Sequence, residues 1–187
     1  MTPKEWKNGG YKEYSQKILQ QSQRASQSKA DFKDIVPTIV KMPAIESYYI
    51  RNKGYNINIK ETWQKLQTWI LTNDIISYKR IALFHDNPTI TPLNECQYIG
   101  CVMVEDNQEV KSDRLPKFKI AEGVYAKFDL KGKTGDVLPF IHWVYHEWLP
   151  KNEYETTTKP SYAIYNKIDF LDESNEFDLS FYVSINF

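Results

Sequence analysis

The chain repeats itself once. An apolar strand, a Lys-Gly pair and an aromatic-bearing helix occur in that order twice. The first copy runs from Tyr48 to Gly54 and then into a segment with Trp63, Leu66, Trp69 and Ile70 at helical spacing. The second runs from Val124 to Gly132 and then into Leu138, Ile141, Tyr145 and Trp148. Gly54 and Gly132 lie 78 positions apart, and Trp69 and Trp148 lie 79 apart, so the spacing survives strand, turn and helix. Two copies are too few to stack as a solenoid. They fit a pseudo-symmetric domain whose half-modules face each other and enclose a site.

Hydrophobic periodicity gives each copy the order β-β-α-β-β. In the first, the β-branched and aromatic runs 35–40 and 45–50 flank Met42-Pro43, which reads as a hairpin; a helix at about 57–73 and strands at 81–84 and 98–104 follow. In the second, strands at 118–120 and 124–130 precede a helix at about 134–149, closed before Pro150 and with Pro139 in its first turn. Strands at 161–166 and 177–185 complete it. The expected fold is α+β: duplicated β-β-α-β-β halves about a pseudo-two-fold axis, an antiparallel sheet with two long helices on one side. Residues 10–27 read as a polar linker helix with Tyr11, Tyr14, Ile18 and Leu19 on one face.

Lys plus Arg and Asp plus Glu number 24 each among 187 residues, so no global charge points to nucleic acid or to a membrane surface. The first 41 residues carry an excess of four positive charges. No apolar run approaches the roughly 20 residues of a membrane span or forms a secretory signal, which implies a cytoplasmic protein. Cys96 and Cys101 sit in a segment read as extended, on opposite faces and about 16 Å apart at strand rise. They are expected to stay reduced.

Few motifs carry catalytic chemistry. Gly132-Lys133-Thr134 resembles the end of a phosphate-binding loop, but Lys127 stands where that loop needs its first glycine, and the segment reads as a turn. His142 and His146 have the i, i+4 spacing of a metal pair, yet Glu147 is not in the zinc-protease position, and they read as half-exposed flanks of an apolar stripe. No metal, cofactor or activated cysteine is expected. The aromatics, 14% of the chain, fit two readings that composition leaves open: core filler, or an apolar pocket with polar tips.

Six ordered segments resemble the GyrI-like domain, also called the AraC-type effector-binding domain. They are Tyr49-Ile50-Arg51-Asn52-Lys53-Gly54-Tyr55; Ala82 to Pro88 with Thr91-Pro92; Glu122 to Ala126; Trp148-Leu149-Pro150 with Tyr154-Glu155; Lys159 to Tyr165; and Phe177 to Val183. The match covers about residues 35–185. Thr2-Pro3-Lys4-Glu5-Trp6-Lys7 is similar to the tail of the AraC-type DNA-binding region. The resemblance therefore implies a remnant of that region plus the linker helix at 1–33, and an effector-binding domain at 34–187.

The same resemblance implies a small-molecule effector domain of a transcription regulator, not an enzyme, that meets DNA only through modules absent from this chain. Its ligand would be an apolar organic molecule held in the cleft between the halves. Relatives of the multidrug-binding kind, which take lipophilic cations, commonly place a glutamate where Ala163 stands, and many place an aspartate at the position of Ile99. Without either, neutral ligands are expected over cations. Pocket residues carried by family position, and by alternation with Ala163, are Tyr48, Ile99, Trp143, Trp148, Ala163 and Tyr165. Two alternatives follow from the same family: a hydrolase of reactive cyclopropane compounds, which would use a pocket glutamate, and a stand-alone protein-binding module of the gyrase-inhibitor kind.

Overall fold

A computed structural model describes residues 2–55, 58–111, 114–133, 135–168 and 176–186. The strands are β1 (Thr38–Met42), β2 (Ile45–Lys53), β3 (Tyr78–Phe84), β4 (Gln97–Val104), β5 (Lys117–Ile120), β6 (Gly123–Lys133), β7 (Glu155–Thr156), β8 (Ser161–Lys167) and β9 (Glu176–Asn186). They form an antiparallel sheet in the order β1-β6-β9-β8-β3-β4-β2-β5, with β7 paired to β9 off that path. Reversing the order exchanges β1 with β5, β2 with β6, β3 with β8 and β4 with β9, each a strand for its counterpart in the other repeat. The pseudo-two-fold axis therefore passes between β3 and β8, where Ala82 faces Ala163.

One expectation is corrected by this pairing. Met42-Pro43 is not a hairpin: β1 pairs with β6, while β2 pairs with β4 and β5. Met42 opposite Gly123 and Ile45 opposite Ile120 belong to a single register. Hence β1 followed by β2 is one long ribbon, antiparallel to β5 followed by β6. The chain crosses between halves at Pro43-Ala44 and again at Ala121-Glu122. Proline cannot donate to a ladder, so pairing stops there while the register continues. The second Lys-Gly pair is also not a turn, because Lys131 and Gly132 lie inside β6 opposite Asp178 and Phe177; Thr134 lies outside the described residues. Only Gly54 turns the chain, at φ 89°.

The first core helix is Asn58–Thr72; its expected start at 57 lies outside the described residues. Ile59, Trp63, Leu66 and Ile70 are buried at i, i+4, i+7 and i+11, the stripe of an amphipathic helix. Gly100 lets it sit close on β4, since a Cβ there would come within 2.9 Å of Leu66 Cδ1 and 3.1 Å of Thr62 Cγ2. At the corresponding place in the other half, opposite Phe128, stands Phe181, whose ring meets Phe140 of the second core helix at 5.6 Å. That helix therefore rides on rings where the first rides on backbone.

The second core helix is α-helical over Val137–Trp143, π-helical over Val144–Trp148 and α-helical over Leu149–Lys151. It does not stop before Pro150. In a regular helix Pro150 would lack its bond to the His146 carbonyl and its ring would press on that oxygen. The turn before it is instead widened, with the Leu149 N–H reaching the Val144 carbonyl.

Both core helices cover one face of the sheet, in a single cluster that joins Trp63, Leu66, Phe140 and Val144 to Ala82, Phe128, Ala163 and Phe181. The other face carries Ile81, Leu83, Ile99, Cys101, Tyr125, Tyr162 and Tyr182, buried without a helix over them. The sheet achieves this by curling on itself. Tyr162 and Tyr182 stack there at 4.6 Å. Both cysteines are free and buried, and burial pushes each thiol up to about 12.

Ahead of the sheet, an arm with helices Tyr11–Gln20 and Gln23–Ser26 lies on the second core helix and buries Ile18, Ala25 and Phe32. Among the described residues no helix is long and apolar enough to cross a membrane.

Candidate functional site

A π-turn changes which side chains align. At α-helical pitch Trp143 and Trp148, five apart, would point to different sides; a turn closed by i to i+5 bonds brings them onto the same side. Together they form one wall of a pocket of about 410 Å³. The opposite wall is Ile35, Pro37 and Ile39, the run leading into edge strand β1. Tyr154 stacks on Trp148 at 5.5 Å and 21° and closes the end. Lys33, Lys151 and Asn152 stand at the rim.

Behind the tryptophans the aromatic layer is continuous. Phe128 meets Trp148 at 4.9 Å, Phe140 at 5.5 Å and Trp143 at 6.2 Å. Phe140 meets Phe181, and Phe181 meets Phe84 beside the axis. These rings are a continuous packed path from the pocket towards Ala82 and Ala163.

The six expected pocket residues do not share one lining. Trp143 and Trp148 line the pocket. Ala163 and Tyr165 are buried in the same helix-side layer but nearer the axis, with Tyr165 at 6.0 Å from Trp63. Tyr48 packs on Trp69 at 4.7 Å under the first core helix. Ile99 is on the opposite face of the sheet, because its partner Leu83 alternates out of phase with Ala82, the partner of Ala163. The pocket itself lies at the outer edge of the second half, whereas the junction between halves is filled by Phe84, Trp63, Tyr165 and Phe181. Ile35, Pro37, Ile39 and Tyr154 were missed as a group; their only signal was the Trp-Leu-Pro segment followed by Tyr154.

Elsewhere on the second core helix, His146 is partly exposed as its spacing predicts, but His142 is not. His142 is buried, and Ser15 of the arm bridges the pair: its Oγ is 2.7 Å from His142 Nδ1 and 2.7 Å from His146 Nε2. The hydroxyl can donate to one imidazole and accept from the other as long as the ring it donates to is neutral. Burial, then the neighbouring His146, brings His142 down to about 4; burial and Lys12 lower His146, against the pull of Glu147. Tyr11 lies on His146 at 5.2 Å, and Phe32 packs edge-on to Phe140 at 5.3 Å. One helix thus carries both the pocket wall and the arm, and Phe32 of the arm lies 6.2 Å from Trp143 of the wall.

Comparison with known proteins agrees with this architecture. The profile of the GyrI-like small molecule binding domain matches residues 36–185. The chain is 24% identical over 129 residues to a DNA gyrase inhibitor of Citrobacter koseri, covering 68% of this chain and 82% of that protein. Among solved structures, the C-terminal domain of EcmrR superposes with a TM-score of 0.61 at 14% identity, over 82% of this chain and 98% of that one. EcmrR in a complex with DNA gives a TM-score of 0.64 at 15% identity, over 98% of this chain and 68% of that one. By fold, by repeat and by sequence profile, the chain belongs to the GyrI-like small-molecule-binding family.

Proposed function

We propose that this domain is an effector sensor: an apolar organic molecule binds against Trp143 and Trp148, and its presence is passed to DNA-binding modules through the arm. The observation that carries this reading is the π-turn, which costs regular helix bonding and in return sets two tryptophans side by side on an open, aromatic-floored pocket. A ligand entering there would press on the same helix that holds the arm through His142, His146 and Ser15. The likeness to EcmrR extends over the arm as well as the sheet, which supports a regulator context. Among the described residues, no carboxylate, thiol or imidazole lines the pocket, which favours a reading of binding over turnover. We place the protein in the cytoplasm on its two buried, unbridged cysteines.

The test is a thermal-shift screen of small aromatic and aliphatic compounds on the wild type and on Trp143→Ala. Compounds that raise the melting temperature of the wild type and lose that effect in the variant support the pocket. A screen without hits, or hits indifferent to Trp143→Ala, would refute it.

A further inference from the structure

The pocket also indicates the charge of what it takes. Resting on the reading above, we propose that the ligand is an amphipathic organic anion, its apolar body against Trp143 and Trp148 and its acid group held at the mouth by Lys33 and Lys151. Among the described residues, two cations and one amide, Asn152, are the polar side chains at the rim, and no Asp or Glu lines the pocket. Each lysine has a carboxylate neighbour, Asp31 at 3.3 Å from Lys33 and Glu147 at 3.0 Å from Lys151. These pairs are weak ones: the lysine side chains are 77% and 69% exposed and the carboxylates are themselves in water. Such pairs are worth little, so an incoming acid can take the lysines while Asp31 and Glu147 return to solvent at small cost.

The inner wall points the same way. No Asp or Glu side chain is among the buried residues described, and Ala82 and Ala163 are the small residues at the axis. A lipophilic cation would leave water and meet aromatic faces without a carboxylate, while passing two lysines of its own sign at the entrance. An anion keeps its charge at the rim, half solvated, and buries only its hydrocarbon.

The experiment compares three ligands of one shape by calorimetric titration at pH 7.5 and low salt: 4-phenylbutyrate, 4-phenylbutanamide and 4-phenylbutylammonium. The expected order is carboxylate, then amide, then ammonium, with the carboxylate about tenfold tighter than the amide, and that margin should shrink as salt is added. In the double variant Lys33→Gln, Lys151→Gln the carboxylate should fall to the level of the amide, and the amide should lose far less affinity than the carboxylate does. Both positions are exposed, so the variant folds on the same core. Amide binding equal to or tighter than carboxylate, or a preference that survives the double substitution, overturns the proposal and leaves the pocket standing. If none of the three binds, or if binding ignores Trp143→Ala, the pocket reading itself fails.

Discussion

Acid should loosen the arm, and the size of the effect follows from one serine. Ser15 is 1% exposed and satisfies two imidazoles at once, an arrangement that needs at least one of them neutral. Protonation of both rings would aim two N–H groups at one oxygen and place two cations with ring centres 5.8 Å apart. His142 is brought from 6.5 to about 4 by burial and by His146. Because the folded value is the lower one, the unfolded chain binds the proton more readily. The contribution to stability is therefore complete above about pH 6.5 and is lost as pH falls towards 4. Between pH 7 and pH 5 the loss from His142 is about 2 kcal/mol, or roughly 4–8 °C of melting temperature for a chain of this size. Carboxylates do not confound this window, since the described ones with a clear shift, Glu5, Asp31, Asp129 and Asp178, are all lowered and titrate beneath it. The assay is urea unfolding followed by tryptophan fluorescence at pH 7, 6 and 5, on the wild type, His142→Gln and Ser15→Ala. Wild type should lose stability through the window, and His142→Gln should lose much less. Ser15→Ala should cost about 1–2 kcal/mol already at pH 7, because buried ring nitrogens then face a methyl group. A wild type that is flat from pH 7 to 5, or a His142→Gln variant that falls as steeply, would show that the cluster is not held by neutral imidazoles.

Three further outcomes are expected. Gly100→Ala should destabilise by about 1–3 kcal/mol in chemical denaturation, since its Cβ would crowd Leu66 and Thr62 of the first core helix; a neutral result would mean that this helix is not seated on β4 as described. Ala163→Glu, at a fully buried site opposite Ala82, should cost about 3 kcal/mol or more at pH 7. Burial raises the pKa of the new carboxyl, so its deficit relative to wild type should shrink on acidification to pH 5, and a constant deficit would point to packing alone. Pro150→Ala should leave the fold intact but allow the π-turn to relax, moving Trp143 and Trp148 apart; any compound found in the thermal-shift screen should bind the variant more weakly, and unchanged affinity would separate the turn from the pocket.

The duplication was legible because it is written in local patterns that occur twice at one spacing. Strand alternation and the helical spacing of Trp63, Leu66, Trp69 and Ile70 follow from pleat and helical pitch, and both survive in the structure. Pairing was harder. An apolar run, a proline and a second apolar run look the same whether the chain folds back or crosses to the other half, because the partners of β1 lie more than eighty residues away. The π-turn escaped because a 3.6-residue periodicity has no place for it, and Pro150 reads equally as a stop. Ser15 escaped as one polar residue among many glutamines and serines. The candidate set divided between two faces because a family position transfers a strand but not its phase: Ile99 and Ala163, on the two strands flanking β3, face its consecutive residues Leu83 and Ala82 and so point to opposite faces.

The crossings at Pro43-Ala44 and Ala121-Glu122 have a consequence for how such a domain can arise and fold. Each half lends its first strand to the edge of the other, so neither half contains its own complete sheet. Native pairing of β1 with β6 must wait for a contact distant in sequence, which is the condition for slow folding. Released from the chain, one half would offer an unpaired β2 or β6 flank and a loose first strand, and a second copy of itself would satisfy both. A half expressed alone should therefore be a strand-exchanged dimer with the same curled sheet. The present single chain then has the architecture of such a dimer fused end to end, free since fusion to make its halves unequal: one helix seated on Gly100, the other raised on Phe181 with room beside it for a guest.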